Sequence, residues 1–408
     1  MTPISNAEND VHAEIARGSE ASVVKVLDSL IEQACHSRAS DIHIDPHANS
    51  VKVRIRVDGV LLESYSFPKE LHAPLIARIK VLARLRTDEH QAAQDGRFRL
   101  ILENSPIDVR VSIVPTYYGE NAVLRLLSDK SSLFTLEAIG FSPEDQKKIM
   151  KAVRKPHGMI LSTGPTGSGK TTTLYTLIKM LNKPEASIIT IEDPIEYAIE
   201  GIEQIQVNPA RGLTFADGLR SILRQDPNVI MVGEIRDTET AGIAVNTALT
   251  GHLLLSTLHT NDSATTLPRL LDMRIEPFLV ASTVNIAIAQ RLVRKICEKC
   301  KKEKILTVAE KESLSGAFPK HLVENIEKVF EGKGCEECNQ TGYRGRTVIG
   351  EVLVVDEEIR QAMLRKVSAS EIKQIAVKNG MTTMIEDGVR KIIAGDTTFQ
   401  EVMRVTNE

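Results

Sequence analysis

The stretch that most limits what this chain can fold into is Gly164-Pro165-Thr166-Gly167-Ser168-Gly169-Lys170-Thr171, a full match to G-x-x-x-x-G-K-[ST]. Met159-Ile160-Leu161 precedes it as an apolar run of strand character. Leu174, Leu177, Ile178 and Leu181 follow at helical spacing. A glycine loop between a buried strand and a helix is the context in which this motif cradles phosphate. Glycines let backbone N–H groups converge on phosphate oxygens, and the helix N-terminus adds partial positive charge. In this reading Lys170 reaches the β- and γ-phosphates and the Thr171 hydroxyl holds Mg²⁺. The bland alternative is a glycine-rich turn with no ligand.

The chain has 408 residues, 42% hydrophobic and 26% charged, which suits an ordinary globular protein of two or three domains. A net charge of −3 argues against a general nucleic-acid binder. No apolar run approaches the ~20 residues of a membrane span. Met1 to Ser22 is polar and acidic, unlike a signal or transit peptide. These features predict a cytoplasmic protein that meets a membrane through partners or a surface patch.

Along the chain, residues 1–20 read as a flexible arm. Val23, Val24, Val26, Leu27, Leu30, Ile31 and Ala34 predict an amphipathic helix. Asp41 to Ile44 and Val51 to Val57 alternate as strands, and Asp58-Gly59 before Val60-Leu61-Leu62 predicts a hairpin. Residues 72–86 return to helical spacing, Gln94-Asp95-Gly96-Arg97 reads as a turn, and 97–102 and 107–114 alternate again. The mixture predicts an N-terminal α+β module over 21–128, with Ser128 to Ser132 as a polar junction and 129–132 as the linker. From 133 to 296, apolar strand runs at 159–161, 187–191, 228–232 and 253–255 alternate with helical segments, the signature of a parallel sheet with crossover helices.

Three further constellations lie in that second domain. The strand 187–191 ends in Glu192-Asp193-Pro194-Ile195-Glu196, so Glu192 sits where ligands bind in such sheets and offers a carboxylate to orient or deprotonate water. An exposed acidic turn is the other reading. Val229-Ile230-Met231-Val232-Gly233-Glu234 delivers Glu234 at a buried strand end near the Mg²⁺ position, with glycine where aspartate is usual. Which of the two acids is the base stays open. Lastly, His252 and His259 bracket the strand 253–258 with an offset that places them on opposite faces. One could donate to a γ-phosphate, or each satisfies a local hydrogen bond.

Cys297-x-x-Cys300 and Cys335-x-x-Cys338 supply four thiolates as two pairs, a set that closes a tetrahedral structural zinc site. The 34 residues between the pairs exceed the usual ~15–20 and suggest an inserted arm over 297–342, with a helical pattern around 321–330. A redox dithiol is the alternative. Cys35 reads as a small core residue. Residues 341–346 form a turn-rich basic patch and 351–355 a short strand. The remainder of 343–408 is helical, with Ser370 capping a helix that ends at Asn379-Gly380.

Taken together, the loop Gly164–Tyr175, the acidic box 190–196, Val232-Gly-Glu-Ile-Arg-Asp237 and the histidine box 250–262 resemble those of the ATPases of type II secretion and type IV pilus assembly. Arg38-Ala-Ser-Asp-Ile-His43, Arg56-Val-Asp-Gly59, Gln94-Asp-Gly-Arg97 and Gly119-Glu120 match as well, and the likeness runs from about residue 20 to 405. In that family glycine before Glu234 is normal. The resemblance implies a hexameric motor whose subunits pair a PAS-like N-terminal module with a RecA-like core, ATP lying between them. It implies the whole loop through Thr172 at the nucleotide, Glu192 and Glu234 as the acidic catalytic pair beside Lys170, and His252 and His259 nearby. It also implies that Arg110 and Arg125 reach a γ-phosphate. The paired cysteines match the zinc arm of assembly-type members, which retraction-type members lack. Members usually carry a further N-terminal domain that docks on an inner-membrane partner, whereas about twenty residues precede the shared module here, so docking is expected to differ or the chain to be a shortened form.

The expectation is therefore an α/β protein, a homohexameric ATPase using ATP, Mg²⁺ and structural Zn²⁺. It would sit in the cytoplasm against inner-membrane platform and docking proteins and drive pilin-like subunits indirectly, with no nucleic acid. A retraction motor and a DNA-uptake or nucleic-acid motor are the rival readings. An ATP-dependent scaffold without useful turnover is a third.

Overall fold

The computed structural model describes residues 11–14, 16–17, 21–102, 105–128 and 135–406. The chain divides into two compact units, Met1–Ser132 and Leu133–Glu408.

In the first unit, helix α1 (Val23–His36) leads into β1 (Ala39–Pro46), β2 (Ser50–Val57) and β3 (Val60–Pro68). Helix α2 (His72–Leu82), β4 (Gln94–Leu102), β5 (Ser105–Thr116) and β6 (Gly119–Ser128) follow. All six strands pair antiparallel in the order β3-β2-β1-β6-β5-β4. Alternation decides which face is buried: Val51, Val53 and Ile55 enter the core while Lys52, Arg54 and Arg56 point away. Leu27, Leu30, Ile31 and Ala34 bring the apolar stripe of α1 into that core. The hairpin at Asp58-Gly59 pairs Val57 with Val60.

Two expectations change here. Gln94 to Arg97 opens β4 instead of turning, and Gly96 lies opposite Val111. A Cβ on Gly96 would come 2.8 Å from the Ala83 carbonyl oxygen, so this glycine permits a close approach and not a bend. Of the expected arm, residues 11–14 are helical; Val11 is buried in the module's core, and the Ser22 N–H donates to Glu14 at 2.8 Å. The proposed linker at 129–132 lies outside the described residues.

The second unit begins with α3 (Leu136–Ile139) and α4 (Pro143–Val153), then runs β7 (Gly158–Thr163), α5 (Lys170–Leu181), β8 (Ile188–Glu192), β9 (Glu203–Gln206), α6 (Phe215–Ile222), β10 (Val229–Val232), α7 (Thr238–Leu249), β11 (Leu253–Leu258), α8 (Ser263–Asp272), α9 (Pro277–Thr283) and β12 (Val284–Ile296). Its seven-stranded sheet has the order β15-β12-β7-β11-β10-β8-β9, where β15 is Tyr343–Val354. Every pair is parallel except β12 with β15. β7, β8, β10 and β11 are buried along their whole length, which is why each holds apolar residues at consecutive positions.

The C-terminal third departs furthest from expectation. The supposed basic patch and short strand are one 12-residue strand, β15, added to the core sheet along the length of β12. Between β12 and β15, β13 (Lys301–Ile305) and β14 (Lys328–Gly332) form a hairpin enclosing α10 (Val308–Ala317) and α11 (Lys320–Val323), so 328–332 is strand and not helix. Four helices close the chain: α12 (Glu357–Leu364), α13 (Ala369–Lys378), α14 (Met384–Ala394) and α15 (Phe399–Thr406). Ser368, not Ser370, caps α13 by accepting from the Glu371 N–H. No helix among the described residues is long and apolar enough to cross a membrane.

Candidate nucleotide site and tetracysteine centre

The glycine loop joins the end of β7 to the start of α5. Gly164 has φ +143°, and a Cβ there would sit 2.6 Å from the Gln290 carbonyl oxygen, so only glycine lets the loop cross β12 this closely. The Gln290 side chain, fully buried on β12, braces the loop from beneath. It accepts from Thr173 Oγ1 at 2.8 Å and donates to the Ser168 carbonyl at 2.9 Å. Lys170 is the first residue of α5 and 9% exposed; its ammonium donates to the carbonyls of Gly164 at 2.8 Å and Pro165 at 3.0 Å. Burial lowers its pKa from 10.5 to about 8, with Glu234 opposing and Arg291 adding to the shift. The Ser168 hydroxyl is buried without a hydrogen-bond partner, an open polar position that fits a phosphate oxygen. Thr171, the second residue of α5, is exposed.

Glu234 follows the end of β10 and is 9% exposed. Arg236 Nε lies 2.6 Å from its carboxylate and His259 Nε2 3.3 Å away. The loop carrying His259 is tied to the phosphate loop through Thr163, the last residue of β7: the Thr260 N–H donates to Thr163 Oγ1 at 2.9 Å, and the two hydroxyls lie 2.5 Å apart. Lys170, Glu234 and His259 thus gather at the carboxyl ends of β7, β10 and β11, where ligands bind in parallel sheets.

One expected site residue stands elsewhere, and another is buried at its strand end. His252 precedes β11 at the opposite end of the strand from His259, about 20 Å away at strand rise. Its Nδ1 lies 3.1 Å from the Thr247 carbonyl, so within its own subunit it makes a local contact and does not face the loop. Glu192 does lie at the end of β8, but it is 2% exposed and its carboxylate accepts from Tyr175 Oη, from Thr190 Oγ1 at 2.6 Å and from Gln204 Nε2 at 3.1 Å. Burial and that carboxylate raise the Tyr175 pKa well above the usual phenol value. These contacts tie the end of β8 to α5 through Tyr175. Glu196, the second acid of the same box, is half-buried four residues on.

In the first unit, register brings the arginines together. Arg110 on β5 lies directly opposite Arg125 on β6, and Arg97 on β4 opposite Arg110. Arg125 Nε sits 3.0 Å from Asp41, which Arg56 approaches at 3.4 Å from the other side. Arg97 was not singled out from sequence, because only the pairing register places it in this row.

The four cysteines converge, their sulfurs all within 4.8 Å of one another. Cys297–Cys335, Cys300–Cys338 and Cys335–Cys338 are separated by 3.8, 3.9 and 3.7 Å. A tetrahedron with bonds of ~2.3 Å to sulfur has edges of about 3.8 Å, so the donor set fits zinc with no position left open. Burial works against the Cys338 thiolate, but N–H donors from Cys335 at 3.3 Å and Gly342 at 3.2 Å outweigh it and lower the pKa to about 7.

A phosphate loop at the head of a parallel sheet, with acids at neighbouring strand ends, defines an α/β domain built to handle nucleotides. The family described as Type II/IV secretion system protein matches residues 16–404, and the chain belongs to it. It is 47% identical to the type II secretion system protein E of Xanthomonas campestris pv. campestris over 99% of this chain and 71% of that one. It is 45% identical to the type IV pilus assembly ATPase PilB of Acinetobacter baylyi over 95% and 67%. Among solved structures, the pilus retraction motor PilT with bound ADP superposes with a TM-score of 0.62 at 25% identity, covering 93% of this chain and 95% of that one. The ATPase DotB of Legionella pneumophila does so at 0.68 and 23%, with 93% and 95% covered, a likeness of fold.

Proposed function

We propose that this chain hydrolyses ATP to power the assembly of pilin-like subunits in a type II secretion or type IV pilus machine. The observation that carries the reading is the phosphate loop: an orphaned buried Ser168 hydroxyl, and a buried Lys170 ammonium held at the loop by the Gly164 and Pro165 carbonyls. Its relatives at 45–47% identity are named for those two machines.

In this reading the second unit is a RecA-like core and the first a PAS-like module. The residues Gly164 to Thr172 hold the triphosphate, Thr171 and Glu234 are the groups that would hold Mg²⁺, and the ion would neutralise charge developing on the phosphates. Lys170, once an anion is present, trades two carbonyls for phosphate oxygens. His259 and Arg236 hold the Glu234 carboxylate in place. Glu192 contributes through Tyr175 and α5. Arg110 and Arg125, with Arg97, supply positive charge to a neighbouring subunit's γ-phosphate in a hexamer. The cysteine site holds zinc as a structural ion, and inner-membrane platform and docking proteins receive the motion on the cytoplasmic side.

The test is ATP turnover against protein concentration, with oligomer size read in parallel, for wild type, Glu234→Gln and Glu192→Gln. Turnover that climbs as hexamers form and drops at least ~100-fold in Glu234→Gln supports the reading. Equal specific activity in a monomer overturns the arginine assignment, and full activity in Glu234→Gln overturns the role of that acid.

A further inference from the structure

We propose that Glu351 is a positioning residue through which the C-terminal helices set the loop carrying His259 and Thr260. The inference rests on the ATPase reading above. Glu351 stands in mid-β15, 1% exposed, a carboxylate in the core that the phosphate chemistry does not use. One side of it accepts from the Ser263 N–H at 2.9 Å and the Ser263 hydroxyl at 2.8 Å. The other accepts from the Met384 N–H at 3.3 Å, with Lys373 Nζ at 3.7 Å. Ser263 and Met384 are the first residues of α8 and α14, and Lys373 lies on α13. A single carboxylate therefore faces two helix N-termini, where open N–H groups and the helix dipole both favour negative charge.

Neither helix needs it as a cap. Asp262 already accepts from the Thr265 N–H at 2.7 Å, and Thr383 with Glu386 forms a complete capping box. What Glu351 adds is the tie between them. From Ser263 the chain of contacts is short. Thr260 Oγ1 donates to the Asp262 carbonyl at 3.1 Å and meets Thr163 Oγ1, and Thr163 precedes Gly164 of the phosphate loop. A movement of α13 and α14 thus reaches the phosphate loop through a buried, hydrogen-bonded path. Such a path is a claim about coupling, to be decided by measured coupling.

The experiment compares wild type, Glu351→Gln, Ser263→Ala and the double variant by steady-state ATP turnover, thermal unfolding, and hydrogen exchange of the 259–263 amides without nucleotide. The glutamine amide can still accept from one helix terminus but sets N–H against the other, cutting the tie at nearly constant volume. The expected result for Glu351→Gln is kcat down roughly 5–20-fold, KM for ATP within about twofold, and faster exchange at 259–263. Ser263→Ala should lower kcat by about 2–5-fold, and the double variant should be no worse than Glu351→Gln alone. Wild-type kcat in Glu351→Gln, multiplicative losses in the double variant, or kcat and KM changing together overturns the proposal. If Glu351→Gln does not fold, Ser263→Ala decides, and wild-type kcat there overturns it. A wild-type chain with no turnover refutes the ATPase reading instead, and the exchange result alone then decides for or against Glu351.

Discussion

Lys170→Met tests the electrostatics of the phosphate loop in solutions with no nucleotide added. The folded-state pKa of Lys170 is lowered from 10.5 to about 8, chiefly by burial. Below pH 8 the ammonium is charged in both folded and unfolded chains, and the folded state carries the full penalty of burying it. Between about pH 8 and 10.5 the folded state releases its proton first, the unfolded chain holds more protons, and stability rises with pH. The lowering corresponds to roughly 3 kcal/mol, which water at the loop mouth screens to about 1–2 kcal/mol. Methionine removes this penalty at every pH, and also removes the bonds to Gly164 and Pro165, a loss of about 1 kcal/mol each. Those bonds do not titrate in the same way, so the pH dependence is the signal and not the offset. The melting temperature of the variant minus that of wild type should fall by about 2–5 °C from pH 7.5 to 10.5. The chain has no tryptophan, so circular dichroism is the probe. Other titrating groups are common to both proteins and cancel in the difference. Two curves that run parallel across this window refute the argument that burial destabilises the Lys170 cation.

Tyr175→Phe removes the phenol donor from the buried Glu192 carboxylate, at a cost of about 1.5–3 kcal/mol, and should lower the melting temperature by about 3–8 °C; an unchanged value sinks the reading of Glu192 as a brace. The purified chain should carry one zinc per subunit by atomic emission, and chelation or Cys338→Ser should open the 297–342 arm to proteolysis while the first unit keeps its resistance. Full metal content in Cys338→Ser, or an arm indifferent to chelation, refutes the four-thiolate site.

How much of this was legible in sequence depended on whether the signal was local. β7, β8, β10 and β11 are buried on both faces, so each carries apolar residues on consecutive positions and not on alternate ones. β15 hid because Arg344, Gly345, Arg346 and Gly350 have the composition of a turn, and only its long pairing with β12 makes a strand of them. Gln94-Asp95-Gly96-Arg97 failed for a related reason, since glycine there answers to the Ala83 backbone and not to a bend. The acids at strand ends were visible, yet most of the donors that separate Glu192 from Glu234 come from far along the chain: Tyr175 and Gln204 are brought to one and His259 to the other, and only Thr190 and Arg236 are near neighbours. The histidine offset showed that the pair need not act together, and the strand between them explains why.

Two strands missed in whole or in part from sequence bear directly on the site. Burying an amide or a carboxylate in a sheet core is costly unless every polar atom finds a partner. β12 and β15 each carry such a residue, Gln290 and Glu351, at neighbouring positions of one ladder, where Gln290 pairs with Gly350 and Ala289 with Glu351. Gln290 is satisfied by the phosphate loop and α5, and Glu351 by the start of α8 and of α14. Apolar residues at both positions would make a simpler core and leave the Ser168 carbonyl and the Ser263 N–H without those partners. The motif supplies the glycines and the lysine, but a loop of glycines has little shape of its own. Its shape comes from Gln290 beneath it and from the Thr163–Thr260 contact beside it, the second of which is anchored through Ser263 to Glu351. β12, and β15 antiparallel beyond it, therefore help to shape the phosphate loop, although none of their residues belongs to its pattern.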